Sequence, residues 1–233
     1  MTQLFFSEYD PDPTRIATPQ PLVIVGAGGL GREIALLVAQ LVAAGASWEL
    51  RGFYDDRAPA APTVGGLPYL GTVADLNAAP ARLAVAVAVG SSAGRAAVVA
   101  RLTSPRLWFP ALVHPQVALL AGQRVALGAG CLIQRGCILT CDITLGRFVL
   151  LNLGCTVGHD VVLEDFCSLM PHANVGGAAH LAAGVYLGTN ATIIHQIRIG
   201  AATTVGAGAV VVRDLPAGCT AVGVPARAIG NEQ

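Results

Sequence analysis

Residues 145–187 read LGRFVLLNLGCTVGHDVVLEDFCSLMPHANVGGAAHLAAGVYL. Every sixth residue of the stretch (Leu145, Leu151, Val157, Leu163, Leu169, Val175, Leu181, Leu187) is a branched aliphatic. The series extends back through Leu139 and Ile133 to Leu127 and forward through Ile193, Ile199 and Val205 to Val211, fifteen positions of Leu, Ile or Val without a break. Four residues after each aliphatic stands a second ordered position, small or apolar at every occurrence from Cys131 to Ala209. A period of six fits neither the 3.6-residue helix nor a simple alternating strand, whereas three hexads make one triangular coil of about 18 residues. The pattern therefore predicts a parallel β-helix of nearly five coils, with the aliphatics filling its interior and the small residues packed beside them. Glycine is frequent directly after the aliphatic (Gly128, Gly146, Gly158, Gly176, Gly188, Gly200, Gly206), where a sharp turn would use its tolerance of unusual φ.

Four of the six cysteines (Cys131, Cys137, Cys155, Cys167) fall on the small position, and no CxxC occurs. They read as buried small hydrophobes, and no metal site is expected. The composition, 54% hydrophobic and 12% charged, is that of a folded protein. Lys plus Arg and Asp plus Glu both number 14, so no net field gathers nucleic acid or an anionic membrane. No apolar run approaches the ~20 residues that cross a bilayer, and Met1 to Gln20 lacks the basic start and apolar run of a signal peptide. A cytoplasmic location is expected.

Upstream of the repeat, strand and helix signals alternate: Leu22 to Val25, a helix from about Gly31 to Ala44, a strand near Leu50 to Phe53, and the run Leu83 to Val89. The first turn is Gly26-Ala27-Gly28-Gly29-Leu30-Gly31, a GxGxxG between strand and helix that lets backbone amides approach a pyrophosphate. Asp55 and Asp56 follow the second strand, where they could hold the hydroxyls or base of a nucleotide. Some 90 residues leave no room for a two-half dinucleotide domain, so a nucleotide-sugar suits the unit better than a nicotinamide cofactor. The expected organisation is an extended arm over 1–20, a Rossmann-like nucleotide-sugar-binding domain over 21–110, a β-helix over 111–214 and a tail over 215–233.

The hexad register also sorts the histidines. His159 stands two after Val157 and His195 two after Ile193; their separation of 36 is two whole coils, which places both on one edge about 10 Å apart. Gly177 lies midway at the same phase, where a backbone N–H is accessible to a ligand oxygen, as an oxyanion donor must be. His180 and His195 read equally well as exposed corner residues, and His172 is intermediate.

The βαβ unit with GAGGxG, the Asp55-Asp56 pair, Val89-Gly90-Ser91-Ser92 with Arg95, His114-Pro115, and a β-helix closing in Gly223-Val224-Pro225-Ala226-Arg227 together resemble the hexapeptide-repeat acyltransferases, specifically the nucleotide-amino-sugar N-acetyltransferases and related sialic-acid O-acetyltransferases. The resemblance covers residues 21 to 230. It implies a left-handed helix, a homotrimer with active sites between neighbouring helices, and acetyl-CoA as acyl donor. The positions matching the family's uridine or thymidine diphosphate sugar site are Gly28, Gly29, Leu30, Asp55, Asp56 and Gly90, with Leu30 in place of a frequent His. The family pattern of Asn followed seven residues on by His-Asp or His-Glu is met by Asn152 and His159-Asp160; it implies that His159 is the general base and that Asp160 orients it and stabilises its cation. Where the family has a second, CoA-contacting His this chain has Ser168, and the matching backbone contacts to CoA fall on Thr189 and Ala207. The activity so implied is N-acetylation of a nucleotide-linked 4-amino-sugar by direct transfer. O-acetylation of sialic acid or another sugar hydroxyl, and a non-catalytic trimeric nucleotide-sugar-binding protein, are the competing readings.

Overall fold

The computed structural model describes residues 18–229. The expected N-terminal arm therefore lies outside the described residues except for its last three positions.

The chain begins with a six-stranded sheet in the order β3-β4-β2-β1-β5-β6. Strands β1 (Gln20–Val25), β2 (Trp48–Tyr54), β5 (Leu83–Val87) and β6 (Leu107–Trp108) run parallel, and β3 (Thr63–Val64) forms an antiparallel pair with β4 (Leu67–Gly71). The central strands are buried on both sides, hence their unbroken apolar runs, LVIV in β1 and LAVAV in β5. Helices α1 (Gly29–Ala43) and α3 (Ser92–Arg101) are the main crossovers, and the short α2 (Val73–Asn77) starts on a capping box between Thr72 and Asp75.

The glycine motif divides by job. A Cβ on Gly26 would stand 2.7 Å from the Ala88 carbonyl oxygen, and one on Gly31 would stand 2.0 Å from that of Gly26. These two glycines let helix and strand pack closely. A Cβ on Gly28 or Gly29 would meet nothing within 4 Å, so these two present open backbone. Gly31→Ala is accordingly expected to destabilise the fold by about 1–3 kcal/mol through overpacking; thermal unfolding checks this, with Gly29→Ala as the near-neutral comparison.

From Leu112 the chain winds into three parallel faces whose neighbouring strands are 18 residues apart along most of their length. Face one carries Leu112–Val113, Leu132–Ile133, Leu150–Leu151, Ser168–Leu169, Tyr186–Leu187 and Thr204–Val205. Face two carries Ile138–Leu139, Thr156–Val157, Asn174–Val175, Thr192–Ile193 and Val210–Val211. Face three carries Ala126–Leu127, Thr144–Leu145, Val162–Leu163, His180–Leu181 and Arg198–Ile199. The hexad aliphatics from Ile133 to Val211 are buried in one continuous core with the four predicted cysteines. Burial pushes the Cys131 and Cys167 thiols up to about 12, so neither is a thiolate near neutral pH.

The glycine expectation is corrected in an instructive way. The glycines directly after the aliphatic do not have positive φ; they are there because the next coil passes too close for a side chain, with a Cβ on Gly128, Gly146 or Gly158 falling 2.5–2.7 Å from the following coil's backbone. The left-handed position is three residues after the aliphatic, at Gly130, Gly136, Asp142, Phe148, Gly154, Asp160, Phe166 and onward to Gly208. The helix also continues past Asp214 into the segment expected as a tail: Thr220–Val222 adds a parallel rung to face one, and Arg227–Ile229 pairs with it antiparallel.

The N-terminal domain sits on face one. Leu112, Leu132 and Leu150 point outward from that face and are buried in one cluster with Ile34, Leu37 and Val38 of α1 and Leu22, Ile24 and Phe53 of the sheet. At the edge between faces three and one, Phe148 stacks on Phe166 and meets Phe109 edge to face. No helix among the described residues is long and apolar enough to cross a membrane.

Candidate active site

His159 and Asp160 occupy the edge between faces two and three, where the coil turns after Thr156–Val157. Asp160 holds the left-handed corner at φ 59°, which aims its carboxylate at the preceding imidazole, and Asp160 Oδ2 lies 2.7 Å from His159 Nδ1. A carboxylate accepts, so Nδ1 carries the hydrogen and Nε2 presents a lone pair. Both side chains are exposed, at 64% and 61%.

Gly177 lies one coil further along the same edge. A Cβ there would fall 2.6 Å from His159 Nε2 and 2.7 Å from Cε1, so the imidazole lies directly against the glycine backbone and any side chain there would displace it. The Gly177 carbonyl accepts from Gln196 N–H at 2.8 Å, while its own N–H has no partner among the described residues. The exposed His159 imidazole and the unpartnered Gly177 N–H are thus neighbours on one edge of the helix. His195 is on this edge two coils beyond His159, as the phase requires. His180, in contrast, is not a corner residue: it points out from face three and bonds to Glu164 at 2.8 Å.

Asn152, Thr189 and Ala207 share a different edge, between faces one and two. Thr189 and Ala207 are exposed and stacked on consecutive coils, where the closeness of Gly188 to Ala207 N leaves a smooth ridge of backbone. Asn152 is 8% exposed, and its Oδ1 accepts from the Leu153 N–H at 2.7 Å.

Ser168 requires a correction. It points outward from face one and so is covered by the N-terminal domain; it is fully buried and its hydroxyl is engaged with Ser92, Arg95 and the Gly90 carbonyl. Nothing of it is left to touch CoA.

In the N-terminal domain, Asp55 Oδ2 accepts from the Ala27 N–H at 2.8 Å and so ties the second strand to the glycine turn. Asp56 is a second correction. Its oxygens go to the Val73 N–H and to Arg101, whose guanidinium holds the carboxyl below its ordinary pKa, so it braces α2 and α3 and does not face the glycine turn. Gly28 caps α1 without a side-chain partner, leaving the first-turn N–H groups available to an anion. Leu30 reaches toward Gly90, with a Cβ on Gly90 meeting only Leu30 Cδ2 at 3.9 Å. Gly28, Gly29, Leu30 and Gly90 therefore form one open rim.

The residue whose role the sequence did not reveal is Arg95. It is 1% exposed and has no carboxylate partner among the described residues; it donates to the carbonyls of Val89, Gly90, Phe148, Phe166 and Cys167 and to Ser168 Oγ, at 2.6 to 3.3 Å.

Residues 21–102 match the family model of the PglD N-terminal domain. No curated protein matches the chain. Among solved structures, the chain is similar to the acetyltransferase domain of PglB from Neisseria gonorrhoeae (30% identity, TM-score 0.83, covering 90% of this chain and 100% of that one). It is similar to WeeI from Acinetobacter baumannii (31%, TM-score 0.81, 90% and 100%). It is also similar to PerB from Caulobacter crescentus, solved with CoA and GDP-perosamine (30%, TM-score 0.78, 90% and 97%). Together with the left-handed β-helix and the Rossmann-like domain, these likenesses establish that the chain belongs to the hexapeptide-repeat acyltransferases, in the family of nucleotide-amino-sugar N-acetyltransferases.

Proposed function

We propose that the protein transfers the acetyl group of acetyl-CoA to the amine of a nucleotide-linked 4-amino-sugar, with His159 as general base. The observation that carries this reading is the His159-Asp160 pair lying against Gly177 on an open edge. The amine nitrogen bonds to the thioester carbonyl carbon as its proton passes to His159 Nε2, and Asp160 stabilises the imidazolium. The oxyanion of the tetrahedral intermediate meets the Gly177 N–H. The C–S bond then breaks, and the imidazolium returns the proton to the departing sulfur. The ridge of Thr189 and Ala207 suits the pantetheine arm, and the rim of Gly28, Gly29, Leu30 and Gly90 suits the nucleotide diphosphate.

The prism supports a homotrimer on geometric grounds. The N-terminal domain covers face one, and the His159 edge between faces two and three is the one edge face one does not border. An acceptor held by the glycine rim is thus on the far side of the helix from its own chain's base. Neighbouring copies would bring the two together.

The test is CoA release, followed with a thiol reagent, against uridine, thymidine and guanosine diphosphate 4-amino-sugars and free sialic acid. Turnover on one of the amino-sugars is the expected result; turnover on sialic acid alone moves the assignment to O-acetylation. Gly177→Ala drives a methyl into the imidazole and is expected to lower kcat on the order of 100-fold, since about 1 Å of misplacement has that effect. Stopped assays under saturating acetyl-CoA check it.

A further inference from the structure

Between the two halves of the molecule lies a buried polar cluster that acyl transfer, as described, does not use. Ser92 Oγ donates to Ser168 Oγ at 2.9 Å, Ser168 Oγ donates to the Gly90 carbonyl at 3.1 Å, and Arg95 Nη2 donates to Ser168 Oγ at 2.8 Å. The Ser168 hydroxyl thus uses its one hydrogen and both lone pairs. The same guanidinium reaches the Val89 and Gly90 carbonyls on the loop and the Phe148, Phe166 and Cys167 carbonyls on the helix. Ser92, Arg95 and Ser168 are 6%, 1% and 0% exposed.

Adhesion alone would be served as well by apolar residues, as it is where Leu132 and Leu150 join the apolar cluster of the N-terminal domain on the same face. What the cluster adds is direction: a planar fork and a saturated hydroxyl fix carbonyls of two elements in a single mutual placement. The element so fixed is the Val89–Ser92 loop, whose other side, at Gly90, joins Leu30 and the open glycines in the rim.

We infer that Ser168, with Ser92 and Arg95, is a positioning device: it sets the Gly90 loop against the β-helix so that a nucleotide diphosphate meets a preformed rim. This deepens the proposed function and rests on its assignment of the rim to the nucleotide. Ser168 acts through the loop and touches no substrate.

The test uses the full chain with Ser168→Ala and, separately, Ser92→Ala. Calorimetry measures binding of uridine, thymidine and guanosine diphosphate and of CoA, and hydrogen exchange follows the backbone amides of residues 89–92. The expected result is a nucleotide Kd raised five- to tenfold in both variants, unchanged Kd for CoA, and faster exchange confined to the loop. Equal nucleotide affinity in wild type and variants overturns the positioning role and leaves the acyltransfer reading intact. Should the wild type bind none of the nucleotides, the rim assignment fails, and with it the role inferred for Ser168. Loop exchange then tells only whether the cluster orders the segment.

Discussion

Replacing His159 with Ala is expected to lower kcat/KM for acetyl transfer by 100- to 10,000-fold, the range of a positioned general base, while leaving thermal stability and CoA affinity unchanged. Stability should hold because the imidazole is exposed and its only bond among the described residues is to the adjacent Asp160. Asp160→Asn keeps the shape and removes the charge that fixes the tautomer, so its loss should be smaller but in the same direction. Activity that survives His159→Ala within threefold would sink the assignment of the base. The same variant also probes the composite site. His159→Ala chains co-refolded with Gly29→Glu chains, each inactive alone, should recover about a quarter of wild-type activity if, as proposed, each site of a ring draws its base and its rim from different copies. No recovery in verified mixed oligomers would mean that each chain serves itself.

The second large effect is expected on stability. Arg95→Ala removes six donated bonds and leaves the Val89 carbonyl on one half and the Phe148 and Phe166 carbonyls on the other without a partner among the described residues. A loss of about 3–5 kcal/mol is expected. It should appear as early release of the N-terminal domain from the β-helix, because the β-helix core contains no atom of Arg95. Differential scanning calorimetry with limited proteolysis checks this: a new low-temperature transition and cleavage near residues 102–111 are expected. Arg95→Lys should recover little, since one ammonium cannot span carbonyls that the planar fork reaches from three nitrogens. A single unshifted transition would contradict the account.

What the sequence made legible follows from what the backbone demands locally. The hexad is a requirement of every coil, so fifteen aliphatics announce the helix, and their phase alone puts His159, Gly177 and His195 on one edge. Ser168 takes its CoA expectation from the family position of a second His, and hexad phase could not correct it because outward positions of a hexad look alike. Ile138 points out and is 60% exposed, whereas Leu150 points out and is 1% exposed. The difference is where a distant domain settles, which hexad phase does not encode. A signal existed all the same in Leu112, Leu132 and Leu150, apolar outward residues on successive rungs of one face. Another was available at the corners. Glycine, Asp or Asn fills the third place after the aliphatic at 130, 136, 142, 154, 160, 184, 190 and 208, the residues that best tolerate left-handed backbone. Asp56 looked equivalent to Asp55 because both follow the second strand, but the chain bends there and the Asp56 oxygens go to the Val73 N–H and Arg101, partners that adjacency in sequence does not encode.

The antiparallel strand Arg227–Ile229 has a consequence for how the molecule behaves in a crowd. A parallel stack is open-ended by construction: each rung offers its carbonyls and amides to another, and a copy could add its own first rung as readily as the chain added its last. By folding back across Thr220–Val222 against the grain, residues 227–229 present that end in the wrong polarity for further growth. Trimming the chain at Val222 would convert a stopper into a template, and the expected phenotype is fibre formation by otherwise well-folded protein.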